Sequence, residues 1–215
     1  MHYSILHLSD LHRDLTDEIP NAWLIDSIER DVQNLAKEKP AVEPPTLCVV
    51  SGDLIYGVHP TAPDAEGELR RQNAQALEFL IELTDRLFKG HRDRLVLIPG
   101  NHDVAYTRVK ASSAAVPMPK NPAEKGALVR EYFSANTKLR WSWSELSFHR
   151  IVDTDIYQSR LSHFCELYER FYQGRRTYSL EPESQFDLFD FPEEKLSILA
   201  LNSCLNNDPW RRAGR

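Results

Sequence analysis

The chain has 215 residues and a mass of 24.8 kDa, a size that one hydrophobic core can organise. Apolar residues make up 41% and aromatics 10%, which excludes a disordered polymer, and no apolar run nears the roughly 18 residues a bilayer-spanning helix needs. The 26 Lys and Arg against 32 Asp and Glu leave a net charge of −6, which disfavours a surface built throughout to grip phosphate backbones.

Met1 to Asp10 lacks the basic stretch and cleavage site of a secretion signal. Ser4 to Leu8 reads as a first short strand. Leu24, Ile28, Val32 and Leu35 recur at helical spacing and predict an amphipathic helix over 21–38, ended by Pro40, Pro44 and Pro45. Thr46 to Val50 is a continuous apolar run, as in a parallel strand covered on both faces. A second helix is expected over 67–89, then a third strand at Leu95–Ile98 closed by Pro99-Gly100. Strand and helix alternating in this way predict an α/β fold with a mainly parallel sheet. Beyond 104, the prolines and small residues of 107–125 predict a long loop, 126–140 and 155–173 predict helices, and Phe186–Ser203 around Pro192–Lys195 predicts a hairpin. Cys48, Cys165 and Cys204 are odd in number and unpatterned. They read as reduced cysteines of a cytoplasmic protein, not as a disulfide frame or zinc knuckle.

Each early strand ends in a polar cluster: Asp10-Leu11-His12, Gly52-Asp53, and Gly100-Asn101-His102-Asp103. The carboxyl ends of parallel strands share one edge, where ligands bind in open α/β sheets. Any one cluster alone is most simply a capped turn or a common loop. Three at successive strand ends bring carboxylate, imidazole and amide donors to one rim without a thiolate, a set that suits Mn, Fe or Zn better than Ca.

These clusters, in this order and with the flanks Leu8-Ser9 and Ile98-Pro99, resemble the first three motifs of the calcineurin-like metallophosphoesterases. The resemblance implies an α/β/β/α sandwich and a hydrolase that cleaves a phosphomonoester or phosphodiester with metal-activated water. It implies that Asp10 and His12 hold one metal ion, Asp53 bridges two, and Asn101 binds the second. His102 would serve the leaving group, oriented by Asp103. Such enzymes carry two further histidine motifs, Gly-His and Gly-His-x-His, after a Leu-Asn-Ser strand like residues 201–203; neither follows here. Gly90-His91 lies before the third strand, and His149 and His163 lack the glycine.

From that shortfall the expectation is a truncated domain whose second sheet lacks its C-terminal strands and which holds at most one ion. The tail Asn206 to Arg212 reads as mid-domain sequence. An apolar face or strand edge left exposed would favour self-association. Residues 104–180 read as a helical insertion or lid. Lys138 to Trp143 and Arg175-Arg176 mix cations with aromatics, but the simpler expectation is that the tryptophans pack inward and the arginines face solvent. The expected partner is a phosphate ester, with nucleotides and nucleic acids among the candidates, and no membrane. A different class stays open: a non-catalytic phosphoesterase-like sensor or docking module of a larger protein.

Overall fold

The computed structural model describes residues 3–14, 19–143, 145–205 and 208. The remainder of the tail from Asn206 lies outside the described residues.

The first half follows the expected alternation: β1 (Ile5–Leu8), α1 (Asn21–Leu35), β2 (Leu47–Ser51), α2 (Ala65–Phe88) and β3 (Leu95–Ile98). The strands form a parallel sheet in the order β1-β2-β3, with Leu6 opposite Cys48 and Cys48 opposite Leu95. Leu47, Cys48 and Val50 of β2 and Leu95, Val96 and Leu97 of β3 are fully buried, which accounts for their unbroken apolar runs. β1 is an edge strand with half-exposed residues. The helices α1 and α2 pack on each other, as two crossovers of one hand over neighbouring strands require. On α2, Leu69, Ala76, Leu80 and Leu83 recur at helical spacing and point into the core. The helix stops where Lys89 and Gly90 turn left-handed, at φ 54° and 77°, and the Gly90 N–H donates to the Thr84 carbonyl at 3.1 Å. Gly90-His91 therefore serves as a helix stop.

The second half departs from the sequence expectation. The stretch 107–125 is not a loop but holds α3 (Tyr106–Ala111), β4 (Ser113–Val116) and the start of α4 (Pro122–Tyr132). Proline is tolerated at a first helical turn, and the Asn121 side chain caps α4 by accepting from the Ala123 N–H at 2.8 Å. The helix expected over 126–140 ends at Tyr132, and its latter part is β5 (Leu139–Ser142), which pairs with β6 (Ser147–Ile151). The sheet order is β4-β6-β5, antiparallel, over a small core of Leu128, Leu139 and Phe148. Trp141 joins that core, with its ring 4.8 Å from Phe148, but Trp143 is 71% exposed. Arg140 is buried, not solvated: its Nε donates to the buried Asp208 carboxylate at 2.5 Å.

The helix expected over 155–173 is broken into α5 (Thr154–Gln158), a 3-10 turn at Ser159–Leu161, and α6 (Ser162–Phe171). Phe164, Leu167, Tyr168 and Phe171 carry α6 into the main core, so residues 104–180 divide between a satellite sheet and the central body. The hairpin expected near the end is present as β7 (Phe186–Phe191) and β8 (Leu196–Leu201). Phe189, Phe191 and Ala200 face the core, while the cross-strand pairs Phe186–Leu201 and Leu188–Leu199 form an exposed apolar face. The three cysteines form no disulfide, and burial pushes the Cys48 thiol up to about 12.

One ionic hub ties α2, α3 and α6 together. Glu66 accepts from Thr107 Oγ1 at 3.0 Å, from the Arg108 guanidinium at 3.4 Å, and pairs with His163 Nε2 at 3.0 Å. Burial works to raise its pKa, yet the hydrogen bonds from Arg108, His163 and Thr107 outweigh it and hold the carboxyl at about 2, below its ordinary 4.5. A depressed carboxylate contributes stability that is fully present above pH 4.5 and disappears as the pH falls towards 2. Because the side chain is 40% exposed, solvent screens the gain to about 1 kcal/mol. Glu66→Gln is expected to lower the melting temperature at pH 7, with the gap to the parental chain closing between pH 4.5 and pH 2.

Candidate metal centre

The three polar clusters meet at the carboxyl edge of the parallel sheet, and backbone hydrogen bonds continue past the strand ends to hold them. The Asp10 N–H donates to the Gly52 carbonyl at 3.3 Å, and the His12 N–H to the Asp53 carbonyl at 2.9 Å. Asp10, His12 and Asp53 all adopt left-handed backbone conformations, at φ 55°, 45° and 52°. Each such residue costs on the order of 1 kcal/mol, and strain of this kind concentrates where side chains must be aimed. Gly52 makes the convergence possible. A Cβ there would stand 2.8 Å from the Gly100 Cα, so the turns after β2 and β3 touch backbone to backbone.

Asp53 Oδ1 accepts the His102 N–H at 2.9 Å, which fixes the third turn on the second. The His102 Nδ1 donates to the Tyr56 carbonyl, leaving Nε2 as the ring nitrogen available for chemistry. The rings of His12 and His102 meet edge to face, 4.5 Å between centroids. One ligand atom from each of His12, Asp53 and His102 lies within 4.8 Å of the others. Asp10 Oδ1 sits 3.7 Å from His12 Nε2, beside the cluster. The His12 Nδ1 is buried with no hydrogen-bond partner among the described residues, an atom that a bound cation or its water would satisfy. Nitrogen and oxygen donors converging without thiolate fit a borderline or hard divalent ion.

The match to known families bears on this rim. The family model for calcineurin-like phosphoesterases matches residues 3–210 of the chain. The chain belongs to the calcineurin-like phosphoesterase family. No curated protein matches it. Members of this family act on phosphate esters with metal ions, typically two, and the His and Asp donors gathered here are of the kind that can hold a metal ion. No helix among the described residues is long and apolar enough to cross a membrane.

Within this phosphoesterase, the expected site residues are distributed as follows. His12 and Asp53 share the cluster, Asp10 adjoins it, and Asn101 opens the short 3-10 turn Asn101–Asp103 that carries His102. His102, expected as a leaving-group residue, stands within the same cluster as the metal donors. Asp103, expected to orient the His102 ring, has a different set of partners. Its buried carboxylate accepts from the N–H groups of Gly100 at 2.7 Å, Leu54 at 3.1 Å and Ile55 at 3.4 Å. It is the Tyr56 carbonyl that holds the His102 ring. Sequence reasoning missed Tyr56, although its place three residues after Asp53 puts it in the same turn. His149 pairs with Glu145 and Ser147, and His163 with Glu66, so neither belongs to the cluster.

Burial pushes Asp103 up to about 7, a rise that its backbone hydrogen bonds oppose and the nearby Asp53 charge reinforces. The carboxyl spends its two oxygens on backbone donors of two different turns, so its role is to lock them together. Asn offers one acceptor oxygen and would aim its NH₂ at an N–H group. Asp103→Asn is therefore expected to cost about 1–3 kcal/mol in denaturant unfolding, the penalty for leaving a buried donor unpaired.

Proposed function

We propose that this phosphoesterase hydrolyses a phosphomonoester or phosphodiester by in-line attack of a metal-activated water, and that the chain binds one divalent ion, with Mn, Fe and Zn as the candidates. The observation that carries the reading is the convergence of His12, Asp53 and His102 at the strand-end rim, with Asp10 alongside. In this reading Asp10, His12 and Asp53 would hold the ion, while Asp53 and Asn101 alone are too few to hold a second; the bound metal would supply a Lewis acid for the phosphate oxygens and lower the pKa of water.

The remaining work falls to the chain. His102 has Nδ1 committed to the Tyr56 carbonyl, so with the ring in its doubly protonated form Nε2 is the atom that donates a proton to the departing alkoxide oxygen. Asp53 fixes the height of that ring through the His102 N–H. Asp103 keeps the β2 and β3 turns at one spacing, so the donors need no rearrangement when substrate arrives.

Two measurements test this. The chain loaded with Mn²⁺ is expected to hydrolyse bis(p-nitrophenyl) phosphate and to lose that activity with a chelator. Metal analysis after gel filtration is expected to give one tightly held ion per chain. Turnover that survives complete chelation would defeat the mechanism, and two tightly held ions would defeat the stoichiometry.

A further inference from the structure

We propose that the ring of Tyr56 and the apolar wall beside it select the substrate: a small phosphate ester bearing a flat, uncharged aromatic group, rather than a polynucleotide. The inference rests on the phosphoesterase reading above and deepens it. It comes from a cleft of about 550 Å³ that opens directly off the metal centre. Its lining includes Asp10 and His12 together with Leu11, Leu24, Ile28 and Tyr56. Leu24 and Ile28 lie four residues apart on α1, one turn above the other on one face of the helix. The volume falls within the range of small-molecule sites, about 300–1,000 Å³.

Tyr56 is the unusual member. The residue is 58% exposed, yet its backbone is held on both sides: the N–H donates to the Arg13 carbonyl at 3.2 Å, and the carbonyl accepts from the His102 Nδ1. Ring centroids lie 5.9 Å from His12 and 6.1 Å from His102. A large aromatic held rigidly at the lip of a metal centre loses little freedom when a second flat group stacks on it. The ring belongs to neither core cluster, and its ring neighbours are the two histidines of the metal centre.

The charges around the cleft point the same way. Its lining includes Asp10 and Asp14 and one cation, Arg13, which is buried and donates to the Ile19 carbonyl at 2.7 Å. One phosphate would be neutralised at the metal centre, and among the described residues the cleft lining has no exposed Lys or Arg to receive the next phosphate of a strand. Nucleic-acid grooves, by contrast, pair stacking aromatics with a cationic track.

The test is calorimetric binding of phenylphosphonate and methylphosphonate, two non-hydrolysable anions, to the full chain loaded with Mn²⁺. Phenylphosphonate is expected to bind about tenfold tighter, the contribution of one stacked ring and its apolar contact. Tyr56→Ala should cut that preference to below about threefold, and Tyr56→Phe should restore it, because the face and not the hydroxyl is used. If Tyr56 acted only through its backbone carbonyl on His102, Tyr56→Ala, which keeps that carbonyl, would leave both affinities and their ratio unchanged, which overturns the proposal. Equal affinities in the parental chain overturn it as well, as does tight, salt-sensitive binding of a ten-residue oligothymidylate. Hydrolysis of bis(p-nitrophenyl) phosphate in the same preparation separates the two readings. Turnover with no aryl preference defeats this inference alone, and an aryl preference without turnover defeats the catalytic reading alone.

Discussion

Asp53→Asn is expected to lower kcat/KM for an aryl phosphodiester by at least about 10³-fold while leaving the fold intact. The substitution isolates charge from shape. Asn retains a carbonyl oxygen at the position from which Asp53 Oδ1 accepts the His102 N–H, so the third turn stays attached to the second. What goes is one of two negative charges at the site, leaving the Asp10 carboxylate beside two imidazoles. A divalent ion that loses one of its two anionic ligands binds more weakly, so metal affinity should fall together with rate. A 10³-fold loss corresponds to about 4 kcal/mol of transition-state stabilisation, within the several kcal/mol that a catalytic metal supplies. The metal-free chain should melt no lower than the parental one, because Asn removes one of two neighbouring carboxylate charges, Asp53 and the buried Asp103. Isothermal titration with Mn²⁺ and a thermal melt with and without metal check both halves. Full activity with intact metal binding would remove Asp53 from the mechanism.

The parallel half of the fold was legible because its signals agree. The apolar runs of β2 and β3 are buried on both faces, the leucines of α2 repeat at helical spacing, and each strand stops at a polar turn. The satellite sheet was not legible. β4 is Ser113-Ala114-Ala115-Val116, with one β-branched residue in four, and it exists because it pairs with β6 across non-local contacts that no window of sequence reports. β5 contains Leu139 and Trp141 in a stretch whose composition also suits a helix, and pairing with β6 decides it. The break before α6 follows from Arg160. Its carbonyl accepts the Ala105 N–H at 2.8 Å and its guanidinium donates to the Tyr157 and Leu205 carbonyls, so tertiary bonds interrupt a continuous apolar stripe. At the site, Asp10, His12, Asp53 and His102 stood out as candidates because their clusters follow successive strand ends, and their expected roles came from the family resemblance. The left-handed backbone at three of them, and the exchange of partners that gives Asp103 to the backbone and His102 to Tyr56, are consequences of three turns meeting.

That meeting leaves no room for a side chain at Gly100, and Gly100→Ala is expected to destabilise the chain by about 3 kcal/mol or more and to abolish metal binding. The reason is space, not backbone freedom. Gly100 sits at φ −109° and ψ −178°, extended backbone open to any residue. A Cβ at this position, however, would overlap the backbone nitrogen of Asp53, which no side-chain rotation relieves, and Asp53 Oδ1, which is tied to the His102 N–H. Relief requires the β2 turn to withdraw from the β3 turn. That movement pulls Leu54 and Ile55 off the Asp103 carboxylate, breaks the Asp53–His102 bond, and strains the His12 N–H to Asp53 carbonyl link. For a chain of this size the loss corresponds to a fall in melting temperature of about 10 °C. Gly126→Ala is the control: Gly126 lies within α4, and its added methyl meets only the mobile Arg130 guanidinium at 3.4 Å. There the better helix propensity of alanine should leave stability unchanged or raise it by about 0.5–1 kcal/mol. If Gly100→Ala melted with the parental chain and bound Mn²⁺ equally well, the close backbone contact between the two turns would not be what positions the donors.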